Sequence, residues 1–374
     1  MARVKKYSSE QQHTTRHVRK KKSTATAGDI ILFVLIVVAA VALVISYISI
    51  VIDPAVFPIP SFFGLYYIPI ALINLILLLI AIIRLNKSLF IALIALLPSL
   101  FFVELFYKSS NEVREHTGKE IKLITYNVGR FVSGLDGGGY NLYETCSFAE
   151  SQHPDIVCFQ EYAIKDTALL TNYFKDLPYH NYYFFGGGGY FGNVVFSRYP
   201  VVNSGRMTFN DSRNLYIWCD LDIDGTTVRL YNCHLESHGI SFTSIIKKLG
   251  KRDLFAEEMK SAHEKFLKAT VRRSDQVNEL LTNADSCNYP LIICGDFNDT
   301  PMSNIYYRLH QNRKDSFVEG GEGFSATYSY LWPLLRIDYI LHSEVIDSDH
   351  HRVMKVPYSD HYPVSTSLYI HTKN

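Results

Sequence analysis

The stretch Tyr289–Pro301, YPLIICGDFNDTP, decides how the rest of the chain is interpreted. Its apolar residues 291–293 are typical of a buried strand, and that strand stops at Gly295. Asp296 and Asn298 follow two residues apart, so an extended chain presents both side chains on one side. A carboxylate and a carboxamide in this arrangement suit a bound cation or an oxyanion, although the same residue types are also common in turns. The stretch alone therefore indicates either a functional site or a turn.

Three long apolar runs precede the part of the chain that contains this stretch. Residues 30–52 and 62–83 carry no charge, and residues 89–107 form a weaker run with Glu104 near its end. Runs of about 20 apolar residues are long enough to cross a bilayer. A cleaved signal peptide is the alternative for the first run, but its basic flank is long and two more runs follow it. The sequence therefore predicts three transmembrane helices within residues 29–109.

The positive charges predict how these helices are oriented. Residues 1–27 carry eight Lys or Arg against a single Glu, so we interpret residues 1–28 as a basic, disordered cytoplasmic tail. Residues 53–61 carry no Lys or Arg, whereas the RLNK turn at residues 84–87 carries two. This asymmetry predicts a multi-pass protein of the cell (inner) membrane whose residues 110–374 form an extracytoplasmic domain. The tail also suits contact with anionic lipid headgroups.

The net charge and the cysteines of residues 110–374 indicate what kind of domain these residues form. From residue 110 onward the net charge is −6, which disfavours a protein that binds nucleic acid through bulk charge. All six cysteines lie there, without a spacing typical of zinc sites. Four of them lie in apolar, strand-like runs and are predicted to be free, buried thiols, with disulfide pairing left open: Cys158, Cys219, Cys233 and Cys294.

From residue 121 onward, short apolar strands alternate with a few helices, and polar residues fall where the strands end. Asn127, Glu161 and His234 close predicted strands, as Asp296 does, and Asp338 interrupts another apolar run. Each position alone has an ordinary interpretation as a cap or a turn. Their repeated placement at strand ends predicts one shared site. The apolar-basic loop at residues 237–251 suits contact with lipid or a substrate tail, or is an ordinary surface insertion.

Two groups of side chains indicate hydrolysis of a phosphate ester. Asp338 and His361 suit an orienting carboxylate and a general base, and His234 suits a donor to developing negative charge. The other group offers oxygen ligands, which favour Mg²⁺, Mn²⁺ or Ca²⁺ over zinc. It consists of Glu161, Asn127 and Asp360.

The motifs resemble those of the endonuclease/exonuclease/phosphatase superfamily, which includes DNase-I-like nucleases, abasic-site endonucleases, neutral sphingomyelinases and inositol-polyphosphate 5-phosphatases. They occur in the order of that family and cover about residues 120–371. The matching motifs are TYNV with Asn127, FQE with Glu161, GNVVFSRYP with Asn193, NCHLE with His234, GDFND with Asp296 and Asn298, IDYIL with Asp338, and SDHYPV with Asp360 and His361.

The resemblance implies an α/β fold, a four-layer α/β sandwich in which two mostly antiparallel sheets face each other with helices outside. It also implies that Glu161 is the principal ligand of Mg²⁺ or Mn²⁺, assisted by Asn127 and Asp360. Asn193 is expected to support the site from a neighbouring strand.

The same resemblance implies roles for the remaining residues. His361 is expected to activate the attacking water or contact the phosphate, held by Asp338. Asp296 and Asn298 are expected to position the nucleophile and the scissile phosphate, with Asp296 as metal ligand or base. His234 is expected to stabilise the transition state.

We therefore expect a membrane-anchored, Mg²⁺-dependent phosphoesterase that hydrolyses phosphodiester or phosphomonoester bonds as a nuclease or phosphatase. Its partners would be a phosphate-ester substrate, either nucleic acid or a phospholipid or small phosphoester, and the lipid bilayer. One alternative is a lipid-headgroup phosphodiesterase that is similar to a sphingomyelinase. A non-catalytic binding module is the other alternative, and the complete set of motif residues argues against it.

Overall fold

The computed structural model describes residues 26–109, 115–132, 139–186, 190–210, 212–239 and 252–371. The predicted basic tail lies outside the described residues except for residues 26–28. Residues 240–251 of the predicted apolar-basic loop lie outside them as well.

The apolar runs form a group of helices that precedes the sheets. In chain order they are α1 (Ala27–Ile48), α2 (Ile59–Leu65), α3 (Tyr67–Ile83), α4 (Leu89–Leu96) and a 3₁₀ segment, Leu97–Leu105. Within the described part of the chain, one helix, α1, is long and apolar enough to cross a membrane, or two such spans exist if α2 and α3 count as one. The third run is shorter, so helix length does not establish the three transmembrane helices that the sequence predicts.

Two prolines explain why the second and third runs are not single straight helices. α2 and α3 are bent by 68° relative to each other. The ring of Pro69 would clash with the carbonyl of Leu65, four residues earlier, so α2 ends there and α3 begins after Tyr66. Pro98 likewise stands where α4 gives way to the 3₁₀ segment. Residues 62–83, predicted from the sequence as a single span, are therefore divided between two helices that meet at a sharp bend.

Two six-stranded sheets make up most of the remaining chain. In spatial order, sheet I contains β13 (Ile346–Val353), β14 (Val364–Ile370), β2 (Lys119–Asn127), β3 (Ile156–Ile164), β5 (Tyr190–Ser197) and β4 (Tyr179–Phe185). Sheet II contains β10 (Arg313–Asp315), β12 (Asp338–Ser343), β9 (Leu291–Asp296), β8 (Thr226–His234), β7 (Leu215–Ile223) and β6 (Val201–Thr208). A short pair, β1 (Tyr107–Lys108) and β11 (Gly323–Phe324), joins the apolar helices to the domain.

The two sheets share one plan and pack face to face. Each has a parallel pair at its centre, β2 with β3 and β8 with β9, and antiparallel neighbours on both sides. An apolar cluster with members from both sheets, including Leu123 and Ile292, fills the space between them. The predicted free thiols are confirmed, because Cys158, Cys219 and Cys294 are free and buried. Cys233 is free and buried as well.

Helices cover the outer face of each sheet. α5 (Leu142–Ser151) packs its apolar face on sheet I. α6 (Arg252–Asp285) and α7 (Asn304–His310) pack on sheet II, and α8 (Ser316–Gly320) follows β10. The predicted α/β fold of two mostly antiparallel sheets flanked by helices is confirmed.

This plan brings the polar strand ends together. The parallel strands β2 and β3 end at one edge of sheet I, and β8 and β9 end at one edge of sheet II. His234 pairs in register with Asp296, and Asp338 opens β12 directly opposite Asp296. Because the sheets face each other, both sets of strand ends lie around one opening.

Candidate active site

A bulge in β3 directs Glu161 into this opening. The pairing of β3 with β5 shifts register between Phe159 and Tyr162, and Glu161 between them has a φ of 52°. Non-glycine residues seldom adopt positive φ, and bulges of this kind commonly re-aim a side chain near a functional site. The Glu161 carboxylate lines the cavity with its side chain 25% exposed, and its Oε2 lies 3.4 Å from Nε of Arg130.

A glycine permits the tight end of β9 just before Asp296. Gly295 has a φ of 125°, and a Cβ atom built on it would lie 2.0 Å from the carbonyl oxygen of Cys233. Only glycine fits that backbone and that contact. Asn298 then donates from its backbone nitrogen to Oδ1 of Asp296 (2.8 Å) and from Nδ2 to Oδ2 (3.1 Å). GDFND is therefore both a turn and part of the site, since its turn bonds hold the Asp296 carboxylate in place.

Asn127 fixes the same carboxylate from the other sheet. Its Nδ2 donates to Oδ2 of Asp296 over 2.9 Å, and its Oδ1 accepts from the backbone nitrogen of Gly129. The amide is thereby oriented, with one lone pair of Oδ1 still available.

Asp338 and His361 form a buried hydrogen-bonded pair. Nδ1 of His361 donates to Oδ2 of Asp338 over 2.9 Å, and Nε2 of His361 lies 3.8 Å from Oδ2 of Asp296. Oδ1 of Asp338 is buried without a hydrogen-bond partner among the described residues. The pair fixes the imidazole with Nε2 toward the cavity, the arrangement that acid–base work and phosphate contact both need.

His234 reaches the same point from β8. Its Nε2 lies 3.7 Å from Oε1 of Glu161 and 3.9 Å from Oδ2 of Asp296, and it has no hydrogen-bond partner among the described residues. Polar atoms at such separations commonly share a bridging water or a ligand oxygen. This nitrogen is consequently available to a bound oxyanion.

One cavity of about 160 Å³ collects most of the predicted site residues. Those that line it are Asn127, Glu161, His234, Asp296, Asn298, Asp360 and His361. Asp338 lies behind His361 and acts on the cavity through it.

Asn193 stands away from the cavity, between the sheets. It is fully buried, and its Nδ2 donates to the backbone oxygen of Asn232, two residues before His234. Asn232 in turn accepts from Gln160, the neighbour of Glu161, over 2.7 Å. This chain of amides links the strands that carry His234 and Glu161, which places Asn193 in support of the site without contact with it.

The electrostatics of the cavity are dominated by its carboxylates. Burial raises the pKa of Asp296 to about 6, with the nearby His361 opposing the shift. Burial also disfavours a charged His361, but Asp338 and Asp296 outweigh it and raise the pKa of that ring to about 10. A protonated His361 donates through both ring nitrogens, which suits contact with a phosphate oxygen.

The donor set at the mouth of the cavity fits a hard divalent cation. Burial raises the pKa of Asp360, and the nearby Glu161 carboxylate raises it further, while His361 opposes both. The two carboxylates disfavour each other's charge, and Asn127 lines the same cavity, so the three residues offer oxygen ligands of the kind that hard cations prefer. Glu161, Asn127 and Asp360 are therefore the residues that could hold Mg²⁺ or Mn²⁺.

A second group could also hold a metal ion. Ligand atoms of Asp296, Asp338 and His361 all lie within 4.8 Å of one another, and all three residues are buried. The Nδ1 of His361 is already engaged by Asp338, however, so this group is better described as a hydrogen-bonded acid–base pair beside a carboxylate.

Several residues at this opening were not predicted from the sequence, among them Arg130 and Tyr328. Arg130, with a φ of 57°, pairs with Glu161, and its guanidinium carbon lies 4.4 Å from the ring centroid of Phe191. Tyr328 lines the cavity beside His361, with ring centroids 5.4 Å apart. Arg130 lies three residues after Asn127, so proximity in sequence to that motif was the available signal. Nothing in the sequence singled out Tyr328.

Known proteins place this arrangement in a family. The model described as the endonuclease/exonuclease/phosphatase family matches residues 124–361. A model described as a domain of unknown function matches residues 29–106, the apolar helices. No curated protein matches the chain.

Several solved structures are similar to this chain at low sequence identity. An endonuclease/exonuclease/phosphatase from Beutenbergia cavernae DSM 12333 is 17% identical with a TM-score of 0.51, covering 68% of this chain and 72% of that one. An endonuclease/exonuclease/phosphatase from Bacteroides vulgatus is 17% identical, with a TM-score of 0.46 over 68% of this chain and 100% of that one. The mannosyl-6-phosphatase Bt3783 of Bacteroides thetaiotaomicron is 16% identical, with a TM-score of 0.46. The match covers 67% of this chain and 100% of that one. With the family model matching well over half of its residues, this chain belongs to the endonuclease/exonuclease/phosphatase family.

Proposed function

We propose that this protein is a membrane-anchored, metal-dependent phosphoesterase that hydrolyses phosphodiester or phosphomonoester bonds. The observation that carries the proposal is the convergence in one cavity of a carboxylate-oriented histidine, a positioned aspartate and an oxygen-rich donor set. These are the parts that attack of water on a phosphate ester requires. Members of the endonuclease/exonuclease/phosphatase family are hydrolases that act on phosphate esters. This chain has all of the motif residues quoted in the sequence analysis.

The chain's own residues would divide the chemistry as follows. Asp296, held by Asn127 and Asn298, accepts the proton of the attacking water, as its raised pKa allows near neutral pH. His361 and His234 present Nε2 donors to the phosphate oxygens, where negative charge grows in the transition state.

A divalent cation bound by Glu161, with Asn127 and Asp360, would supply Lewis-acid polarisation of the phosphate. Mg²⁺ or Mn²⁺ suits these oxygen ligands.

The proposed anchor consists of the apolar helices. α1 covers about 33 Å at 1.5 Å per residue, and α4 with its 3₁₀ segment covers about 30 Å because a 3₁₀ helix rises about 2.0 Å per residue. The hydrocarbon core of a bilayer is about 30 Å thick. Only 33% of the apolar window of α1 is buried, so most of its surface is available to lipid. These lengths support the first and the third of the three proposed crossings.

The ends of the helices support the proposed orientation. Asp29 at the start of α1 lies 3.5 Å from Arg84 after α3, which puts the RLNK turn beside the first turn of α1. At the other end, Asp53 lies against the catalytic domain, where it accepts from Oγ of Ser274. We therefore place the N-terminus in the cytoplasm and the catalytic domain outside it, on the cell (inner) membrane.

A substrate panel tests the proposal. The full chain, purified in detergent micelles with Mg²⁺, is assayed for phosphate release or strand cleavage on DNA, RNA, phospholipids, sphingomyelin, sugar phosphates and inositol phosphates. We expect hydrolysis of at least one class and its loss with EDTA. Tight binding of a phosphate ester without turnover under any of these conditions would instead support a non-catalytic binding module.

A further inference from the structure

The apolar helices contact the catalytic domain beside the loop that follows Asp296. Oγ of Ser49, just after α1, donates to the backbone oxygen of Met302 over 2.6 Å. Oγ1 of Thr300 lies 3.4 Å from the backbone oxygen of Gly64 in α2. A Cβ on Gly64 would lie 2.4 Å from the Met302 oxygen, so this approach is close enough to require glycine. The membrane part is thus fixed within a few residues of the catalytic loop.

An apolar cavity of about 190 Å³ lies between α2 and α6 at this junction. Phe62, Leu65 and Tyr66 form its wall on the α2 side, and Ala262 and Phe266 form its wall on α6. A cavity of this size can hold several groups as large as a methylene. His263 on α6 also lines this cavity, and its Nε2 is buried without a hydrogen-bond partner among the described residues. The remaining walls are mostly apolar, and such walls favour apolar ligands over water.

This junction cavity shares a wall with the catalytic cavity. His238 and Leu335 line both. Burial and the nearby Arg273 guanidinium lower the pKa of His238 well below its usual range, so the shared wall is uncharged at this residue. The His238 ring also packs on Phe266 at 4.9 Å between centroids. A molecule with a phosphate in one cavity and an apolar chain in the other would match both linings.

On its other side the junction cavity adjoins a larger apolar groove on the membrane helices. The groove, of about 650 Å³, runs along α3, α4 and the 3₁₀ segment, and it shares Leu334 with the junction cavity. Its walls include Leu72, Leu97 and Leu100, which are 49%, 51% and 70% exposed on the sides of the helices. Apolar surface therefore continues from the lipid-facing side of the helices to the edge of the catalytic cavity.

We infer that the junction cavity binds the hydrocarbon chain of an amphiphilic phosphate ester drawn from the bilayer, with its phosphate in the catalytic cavity. This inference rests on the proposed function and names the substrate class of the same site. A hydrocarbon chain that moves from the bilayer along the leucine-lined groove stays in apolar surroundings throughout. It therefore avoids contact with water, which is unfavourable for apolar surface.

Aromatic side chains on the loop beside the junction cavity support this assignment. Tyr330 and Trp332 are 45% and 38% exposed on the segment that also supplies Leu334 and Leu335. Nζ of Lys355 lies 3.4 Å from the Trp332 ring centroid. Tyr, Trp and Lys are the residues that locate a protein surface at the level of lipid headgroups. The mouth of the catalytic cavity would then lie at headgroup depth.

The first test compares two substrates that have the same reacting phosphate ester but alkyl chains of different length. Hexadecyl and butyl p-nitrophenyl phosphate are offered to the full chain in detergent micelles with Mg²⁺, and kcat/KM is measured from p-nitrophenol release. Ala262→Phe fills the junction cavity, and we expect it to lower the hexadecyl-to-butyl ratio of kcat/KM about tenfold. Ala256→Phe, on the exposed side of α6, should keep the wild-type ratio. An unchanged ratio in Ala262→Phe would overturn the inference, because micelle partitioning affects both variants equally.

A second measurement does not depend on turnover or on that variant. Hexadecyl phosphate with a diazirine near the end of its chain is photolysed with the wild-type protein, and labelled residues are mapped by mass spectrometry. We expect label at residues 62–66 of α2 and 259–266 of α6, with competition by unlabelled hexadecyl phosphate. Label confined to the outward faces of α1 and α3 would contradict the cavity assignment. If neither ester is hydrolysed, the proposed function fails, and the labelling pattern alone decides for or against the cavity.

Discussion

The carboxylate of Asp338 in sheet II accepts a 2.9 Å hydrogen bond from Nδ1 of His361, which lies in the loop that leads into a strand of sheet I. A second hydrogen bond also connects the two sheets: Nδ2 of Asn127 in sheet I donates to Oδ2 of Asp296 in sheet II over 2.9 Å. The candidate site therefore exists only where the two sheets meet. Its geometry depends on the packing of the core between them.

Asp338→Asn should lower turnover of a phosphate ester by about 10²–10⁴-fold, because the amide no longer fixes the proton on Nδ1 of His361. Steady-state kinetics on the purified full chain measure the change. Asp224→Asn, on an exposed turn between β7 and β8, is the matched control and should keep wild-type turnover. Equal loss in both variants would indicate a general effect on folding and would contradict the specific role of Asp338.

Removal of divalent metal should abolish activity. EDTA is expected to inactivate the enzyme and added Mg²⁺ or Mn²⁺ to restore it, since the oxygen donors at the cavity require a cation to balance them. Glu161→Gln should shift the Mg²⁺ dependence of activity to concentrations at least about tenfold higher, because it removes the principal charged donor. Exposed Glu257→Gln on α6 is the control. Activity that persists after chelation would rule out the metal role.

Protease added to intact spheroplasts should remove the catalytic domain and leave an epitope tag at the N-terminus protected. The expectation follows from the start of α1 and the RLNK turn lying at one end of the helices and the domain at the other. Immunoblots for the two ends measure the result. Full protection of the domain, with digestion only after lysis, would reverse the proposed topology.

Asp315, in β10 of sheet II, and Arg336 form a buried ion pair. Their Oδ1 and Nη2 atoms lie 2.6 Å apart, and both side chains are at most 1% exposed. Burial alone would raise the pKa of Asp315, but Arg336 outweighs it and lowers that pKa to about 2. A carboxyl group with a lowered pKa stabilises the folded state above its usual pKa of about 4. We expect this contribution to disappear as the pH falls from about 4 through about 2.

Asp315→Asn should lower the free energy of unfolding by about 3–5 kcal/mol at neutral pH, because Arg336 is left buried and unpaired. Asp285→Asn breaks a pair whose carboxylate is 72% exposed, so its cost should stay below about 1 kcal/mol. Thermal unfolding of the detergent-solubilised variants measures both values. A similar small loss in the two variants would show that the buried pair does not stabilise the fold.

Much of the site could be predicted from the sequence, because strand periodicity is a local signal. Apolar runs that end in Asn127, Glu161, His234 or Asp296 indicate buried strands, and parallel neighbours end at the same edge. The structure brings all four residues to one cavity. The sequence left open whether GDFND forms a turn or part of a site. It is both, since Asn298 makes its turn hydrogen bond to the Asp296 carboxylate.

The rest depends on contacts between distant parts of the chain. The direction of Glu161 is set by a bulge against β5, and the amide chain through Asn193 depends on how the two sheets face each other. The contact of Gly64 with Thr300 spans more than two hundred residues. No local pattern of residues encodes such packing, so the junction cavity was invisible in the sequence.

Hydrolysis by the His361→Ala variant tests the central claim most directly. The wild-type chain and this variant are assayed in parallel on p-nitrophenyl phosphate and bis(p-nitrophenyl) phosphate, with Mg²⁺ and with EDTA, after equal melting temperatures have been verified. We expect Mg²⁺-dependent turnover by the wild type and a loss of about 10²–10⁴-fold in the variant. Turnover by His361→Ala close to that of the wild type would contradict it.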